Sequence, residues 1–182
     1  MKKPLVLSLL ACALGLAAAS ALTGCSAMPW EKKEDPTIVP FKPLMSDAYQ
    51  SFLMNWDEKK QPVQCALIRS QAEWEQYMHA APVMGGTKKF GPSANFYETR
   101  QLLLVGRVIQ APDAAERPHV FTPLLTTMRG GVLQVKYLYR EPRSNASYSI
   151  KEIMLLAIPK ERFTTGTVRF VENDRTVCEF SR

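Results

Sequence analysis

The stretch QLLLVGRVIQ at positions 101–110 runs almost without interruption through apolar side chains. It has the length of a strand and is too short and too β-branched for a good helix. It is therefore expected to be a central strand, buried on both faces. The chain after it reads as hairpins. HVFTPLLTTM (119–128), Gly130-Gly131 and VLQVKYLYR (132–140) form strand, glycine turn and strand, with Leu133, Val135, Tyr137 and Tyr139 on one face. SYSIKEIMLLAIP (147–159) is a further strand stopped by Pro159. TVRFV, the Asn173-Asp174 turn and TVCEF close the chain as a hairpin.

Ahead of the central strand, PVQCALIRS (62–70) is a strand with Val63, Cys65 and Leu67 on one side, and it leads into Ser70-Gln71-Ala72-Glu73, a capping-box pattern. The spacing predicts a helix over about 71–80 with Trp74, Tyr77 and Met78 on one stripe and His79 on the same helix. Gly85-Gly86 and Gly91-Pro92 mark the loop that follows. The expected class is α+β: an antiparallel β-sheet or half-barrel of about six strands packed on one N-terminal helix, spanning residues 61–182.

The other end of the chain carries an address. Lys2 and Lys3 precede an uncharged run from Pro4 to Trp30, densest at LVLSLLACALGLAAASAL (5–22), and this matches the n-region and h-region of a secretory signal. An uncleaved anchor is the alternative, but the stretch is rich in Ala, Ser and Gly and leads straight to a cysteine. Leu22-Thr23-Gly24-Cys25 resembles the lipobox of bacterial lipoproteins, in which the thiol is acylated, residues 1–24 are removed and the Cys becomes the first residue. Ser26 stands where an Asp would resemble an inner-membrane retention signal, so the resemblance implies the outer membrane, with the domain in the periplasm or at the cell surface. Each acyl methylene buried contributes about 0.8 kcal/mol, so the acyl chains at Cys25 would hold the protein firmly.

Residues 25–60 read as the lipidated Cys and a proline-rich tether (Pro29, Pro36, Pro40, Pro43), followed by a short helix at 46–56 capped by Ser46 with Tyr49, Phe52, Leu53 and Trp56 on one face. Loss of Lys2 and Lys3 lowers the formal charge from +6 to +4. The excess is scattered, with no run of like charges that would serve as a nucleic-acid arm, and no nucleic-acid partner is expected.

Two thiols besides the signal-peptide Cys12 and the acylated Cys25 remain, Cys65 and Cys178, both in expected strands. An oxidising compartment would join them as a disulfide between the ends of the domain; the alternative is two buried free thiols. Two histidines and four cysteines in all leave little from which to build a metal centre, and neither HExxH, CxxC, EF-hand, P-loop nor GxGxxG spacing occurs. No cofactor, metal or catalytic residue is assigned. His79 and His119 lie in no recognisable catalytic frame. Glu73 and Glu75 point to different helix sides, and Glu172 with Asp174 flanks a turn, where acids normally sit for solvation. Tyr137 and Tyr139 on one strand, with Tyr148 and Phe170 on neighbouring ones, form either a sheet's buried side or a binding face. Tyr137, Tyr139 and Tyr148 are the candidate binding residues.

The order RSQAEWEQYM, FYETRQLLLVGRVI, SYSIKEIMLLAIPK resembles the C-terminal domain of the PrcB family, accessory lipoproteins of surface-protease complexes. Ser70, Glu73 and Trp74 match its helix start, Tyr148 and Ile150 its later strand, and Ile158-Pro159-Lys160 that strand's end. The likeness covers about 65–172 and departs at Asn145-Ala146-Ser147, which replaces a glycine-rich approach. It implies a non-enzymatic domain that stabilises a partner. The expectation is an outer-membrane-anchored lipoprotein that binds or stabilises an envelope protein, the alternative being a module for a small ligand or envelope polymer.

Overall fold

The computed structural model describes residues 35–44, 48–49, 51–53, 56–82 and 84–182, which belong to one compact unit. In chain order the elements are β1 (Thr37–Ile38), β2 (Lys42–Leu44), β3 (Ser51–Leu53), β4 (Val63–Ile68), α1 (Gln71–Tyr77), β5 (Met78–Ala80), α2 (Phe96–Thr99), β6 (Arg100–Gln110), β7 (Phe121–Arg129), β8 (Val132–Tyr139), β9 (Ser149–Pro159), β10 (Thr167–Glu172) and β11 (Arg175–Ser181). Short 3-10 turns lie at Arg117–His119 and Lys160–Arg162. The chain is mainly β with a small helical share, in keeping with an α+β or mainly β class.

The strands form two stacked sheets instead of one. The first has the order β1-β7-β8-β10-β11, the second β2-β9-β6-β4, and β3 pairs with β5 in a separate ribbon. Alternation along β6 explains both the stacking and the apolar run that begins it. Leu103 and Val105 face the five-stranded sheet, where they meet Leu133, Val135, Val168 and Phe170. Leu102 and Leu104 face the other way, onto Leu53, Trp74, Met78 and Tyr97 from the β3-β5 ribbon and the two helices, and onto Trp56 from the segment before β4. Both faces of the strand are thus covered, by unlike layers. Gly106 belongs to this packing: a Cβ there would stand 2.7 Å from Leu53 Cδ2, so glycine lets the ribbon lie close against the sheet.

Four expectations change. The single antiparallel sheet becomes two, because β9 leaves β8 for the four-stranded sheet and β10 returns beside β8 in parallel, from Thr167 opposite Val132 to Glu172 opposite Tyr137. The proline-bearing segment is not a tether from Thr37 onward: β1 pairs with β7 and β2 with β9, while Val39 between them is buried. Of its described prolines, Pro36 directly precedes β1, Pro40 lies in the connection to β2, and Pro43 is in an edge strand, where a missing N–H is tolerated. The expected helix at 46–56, part of which lies outside the described residues, is replaced at Ser51–Leu53 by β3. Pairing with Met78–Ala80 buries Leu53 and outweighs the local helical spacing. The same pairing stops α1 at Tyr77, so His79 sits on a strand and not on the helix.

The start of α1 is close to the expected one. Ser70 Oγ accepts the Glu73 N–H at 3.1 Å, and the Glu73 carboxylate accepts the N–H of Arg69 at 2.7 Å, one residue before the usual capping-box donor. Cys65 on β4 and Cys178 on β11 form a disulfide that ties together the outermost strands of the two sheets.

Candidate functional site

At one end of the sandwich four neighbouring strands change what they turn inward. Along β6 the inward series Leu103, Val105 continues to Arg107. Along β10, Val168 and Phe170 give way to Glu172. Along β8, Leu133 and Val135 are followed by Tyr137 and then Tyr139. Along β9, read backward, Ile158, Leu156 and Met154 lead to Glu152. Registers place Arg107 opposite Glu152 and Glu172 opposite Tyr137, so the four polar positions meet between the sheets.

Arg107 donates two hydrogen bonds to Glu172, one of them from Nε to Oε2 at 2.9 Å, and Tyr137 donates its hydroxyl to the same Oε2 at 3.1 Å. The Arg107 guanidinium also lies over the Tyr139 ring, 4.4 Å from its centroid. Burial works against the charge of Arg107, but the hydrogen bonds and negative charge of Glu172 outweigh it and raise the guanidinium pKa. Burial first, then the nearby Glu172 charge, raises the Tyr137 phenol well above its ordinary value. Tyr139 is raised by burial and by its hydrogen bond to Glu141. Glu152, only 2% exposed, is reached by one cation from outside the sheets: Arg117 Nε donates to its Oε2 at 2.9 Å.

Two hollows open onto this cluster. One of about 470 Å³ is lined by Arg107, Glu172, Asn173, Arg175 and Val177. The other, about 190 Å³, has Glu152 and Arg117 together with Leu44, Phe121, Pro123, Ile153 and Met154 in its walls. Phe121 and Pro123 belong to the open end of β7. The strand β1 covers β7 only at Thr127 and Met128, with Val39 N–H adding a bond to the Thr126 carbonyl at 2.8 Å. From Phe121 to Leu125 the outer edge of β7 has no strand partner among the described residues. A bulge between Pro123 and Leu125 interrupts its pairing with β8.

Large apolar side chains gather around that bulge. Leu124 is 51% exposed, Leu125 37% and Leu138, opposite Thr122, 45%. Leu125 also borders a shallow hollow of about 500 Å³ on the outer face of the five-stranded sheet, shared with Thr127, Arg129, Val132, Gln134 and Lys136.

The structure therefore brings Tyr137 and Tyr139 into the charged end of the sandwich, with Tyr137 fully buried. Tyr148 stands apart, 64% exposed in the connection before β9, its carbonyl accepting the Ala111 N–H at 3.0 Å. Cys25 lies outside the described residues. His79 is exposed with its ring 6.4 Å from that of Phe52, and His119 is exposed at the end of a 3-10 turn. Among the described residues no group of His, Cys, Asp and Glu is arranged to hold a metal ion. Glu73 serves the helix cap, and Glu75 accepts a hydrogen bond from Gln71 at 3.0 Å.

Arg107, Arg117, Glu152 and Glu172 are the residues that sequence reasoning missed. The neighbouring Asn173-Asp174 turn suggests a solvated Glu172, yet period-two counting from Val168 and Phe170 turns it inward. The same counting through Met154, Leu156 and Ile158 does so for Glu152. The chain matches no protein-family model, and comparison with characterised proteins and with solved structures gives no match either.

Proposed function

We propose that this chain is an outer-membrane lipoprotein, anchored through Cys25, whose sandwich binds and stabilises an envelope protein partner at the open end of β7. The observation that carries the docking site is the exposure of Leu124, Leu125 and Leu138 together around an edge that no strand covers among the described residues. Apolar side chains clustered beside unpaired backbone favour association with another chain. Lys136 and Arg129 border the patch and give it the polar rim common to interfaces. The lipobox at 22–25 supports the anchor, and the chain from Cys25 to Thr37 spans at most about 40 Å when extended. The partner is accordingly sought close to the membrane. The likeness to accessory lipoproteins supports a stabilising role without chemistry of its own.

The test is a photo-crosslinking residue introduced at Leu124 or Leu138 of the full chain in its native envelope, with Glu75, exposed on α1, as the comparison position. The reading expects a discrete adduct from positions 124 and 138 and none from 75. It also expects Cys25→Ala to leave the membrane fraction. Uniform or absent adducts at all three positions would remove the docking site.

A further inference from the structure

The Glu152 pocket has a chemistry of its own. A carboxylate 98% removed from solvent is costly to keep unless its charge is used, and the interior of a sandwich is an unusual place for one. The two glutamates of the cluster are held differently. Glu172 takes two bonds from Arg107 and a third from Tyr137. Glu152 takes a single bond at Oε2 from Arg117, and its Oε1 has no hydrogen-bond partner among the described residues. Arg117 is a half-exposed side chain on a three-residue 3-10 turn, so turning it into water disturbs no strand. The walls in front of the carboxylate are apolar: Leu44, Phe121, Pro123, Ile153 and Met154. A volume of about 190 Å³ suits one long side chain, whereas whole small-molecule ligands occupy roughly 300 Å³ or more.

We propose that this pocket receives a lysine or arginine side chain of the protein partner. Its methylene stem lies against the apolar walls and its cationic head binds Glu152, with Arg117 as the resident guanidinium that the incoming cation joins at Oε1 or displaces. Long cationic side chains bury their stems on apolar surface in this way. Charge complementarity decides the class of ligand: Arg117 balances Glu152 in the resting pocket, and once that half-exposed side chain swings into water a buried carboxylate is left that only another cation satisfies. The pocket and the exposed leucines share one edge: Phe121 and Pro123 line the former, and Leu124 is the next residue. The inference rests on the docking reading above and names the partner's anchoring residue type.

The experiment uses the full chain in detergent micelles with labelled methyl groups on Ile153 and Met154, titrated with n-butylguanidinium and with the neutral near-isostere n-butylurea. Saturable shifts with the cation, at least tenfold weaker with the urea, are expected. Glu152→Gln should abolish them and Arg117→Met should tighten them. Arg117→Met strands Glu152 in the folded state, so Arg117→Lys serves as the second variant and keeps the discrimination measurable. Saturating n-butylguanidinium should also reduce the partner adduct formed from position 124. Equal shifts with both probes, or shifts indifferent to Glu152→Gln, overturn the proposal while leaving the docking reading to its own cross-links. Charge-selective shifts with an unaffected adduct overturn the assignment of the cation to the partner. Charge-selective shifts with no adduct at all overturn that assignment and the docking reading together.

Discussion

Arg107 on β6 and Glu172 on β10 hold the two sheets together by a pair of hydrogen bonds at the charged end of the core. Each belongs to a different sheet and each is largely shielded from water, and the carboxylate opposite Arg107 in register, Glu152, is already held by Arg117. Glu172→Ala should lower unfolding stability by about 2–4 kcal/mol, because it strips the partly buried Arg107 of both hydrogen bonds and frees the Tyr137 hydroxyl. Arg107→Met combined with Glu172→Leu should recover most of the loss, as apolar replacements of buried ion pairs commonly do. Urea unfolding of the three proteins measures both effects. A loss under 1 kcal/mol in the single variant would mean that water reaches the pair freely.

The Cys65–Cys178 bridge joins residues 113 positions apart. A loop of that size restricts the unfolded chain, and loop entropy assigns the bridge roughly 4–5 kcal/mol. Reduction, or the paired change Cys65→Ala with Cys178→Ala, should lower the melting temperature substantially and leave the far-ultraviolet circular dichroism of the folded protein unchanged below it. Equal melting curves with and without reductant would show that the bridge adds nothing to the fold.

Gly166 adopts φ of +135°, and a Cβ placed there would run into the carbonyl oxygen of Gly131. Two hydrogen bonds converge on this corner, Thr167 N–H to the Gly131 carbonyl at 3.0 Å and Gly166 N–H to the Arg182 carbonyl at 2.9 Å. Gly166→Ala is therefore expected to cost more than about 2 kcal/mol. Gly85→Ala is the control, because its φ is also positive at +74° but open space surrounds it. It should cost about 1 kcal/mol. Thermal unfolding of the pair separates the clash from the dihedral preference.

Tyr97 and Tyr137 are both held above their ordinary value of 10.0, chiefly by burial. In the unfolded chain their phenols ionise near that value, whereas in the native protein they keep their protons. Above about pH 10 the folded state therefore binds more protons than the unfolded one, and stability falls as pH rises. The slope approaches about 1.4 kcal/mol per pH unit for each of the two. Below pH 10 neither group changes stability. Urea titrations between pH 9 and roughly 11.5 should show the decline, and phenolate absorbance should lag until unfolding begins. Full phenolate absorbance in the still-folded protein would contradict it.

Elements whose identity is settled by neighbours in sequence were legible. The capped start of α1, the glycine turn between β7 and β8, and the Asn173-Asp174 turn, with φ of 47° and 63°, all depend on local backbone preference and stand where expected. Elements settled by distant partners were not. Thr37–Ile38, Lys42–Leu44 and Ser51–Leu53 are two or three residues long and exist because β7, β9 and β5 offer them an edge. The parallel placement of β10 beside β8 depends on where β9 goes, which no local pattern records. The charged end of the sandwich was partly hidden for a different reason. Glu172 and Glu152 obey strand alternation, but a carboxylate is ordinarily assigned to solvent. Only the arrival of Arg107 and Arg117 from other elements makes its inward position affordable.

The chain visits the two sheets in alternation: β1 in one, β2, β4 and β6 in the other, back for β7 and β8, away for β9, and back again for β10 and β11. Each sheet is thus a composite of early and late segments. A protease that severs the link between β6 and β7 would release no fragment. The severed halves would stay interleaved and covalently clasped through Cys65 and Cys178, and they would run as a single species until a reductant parted them.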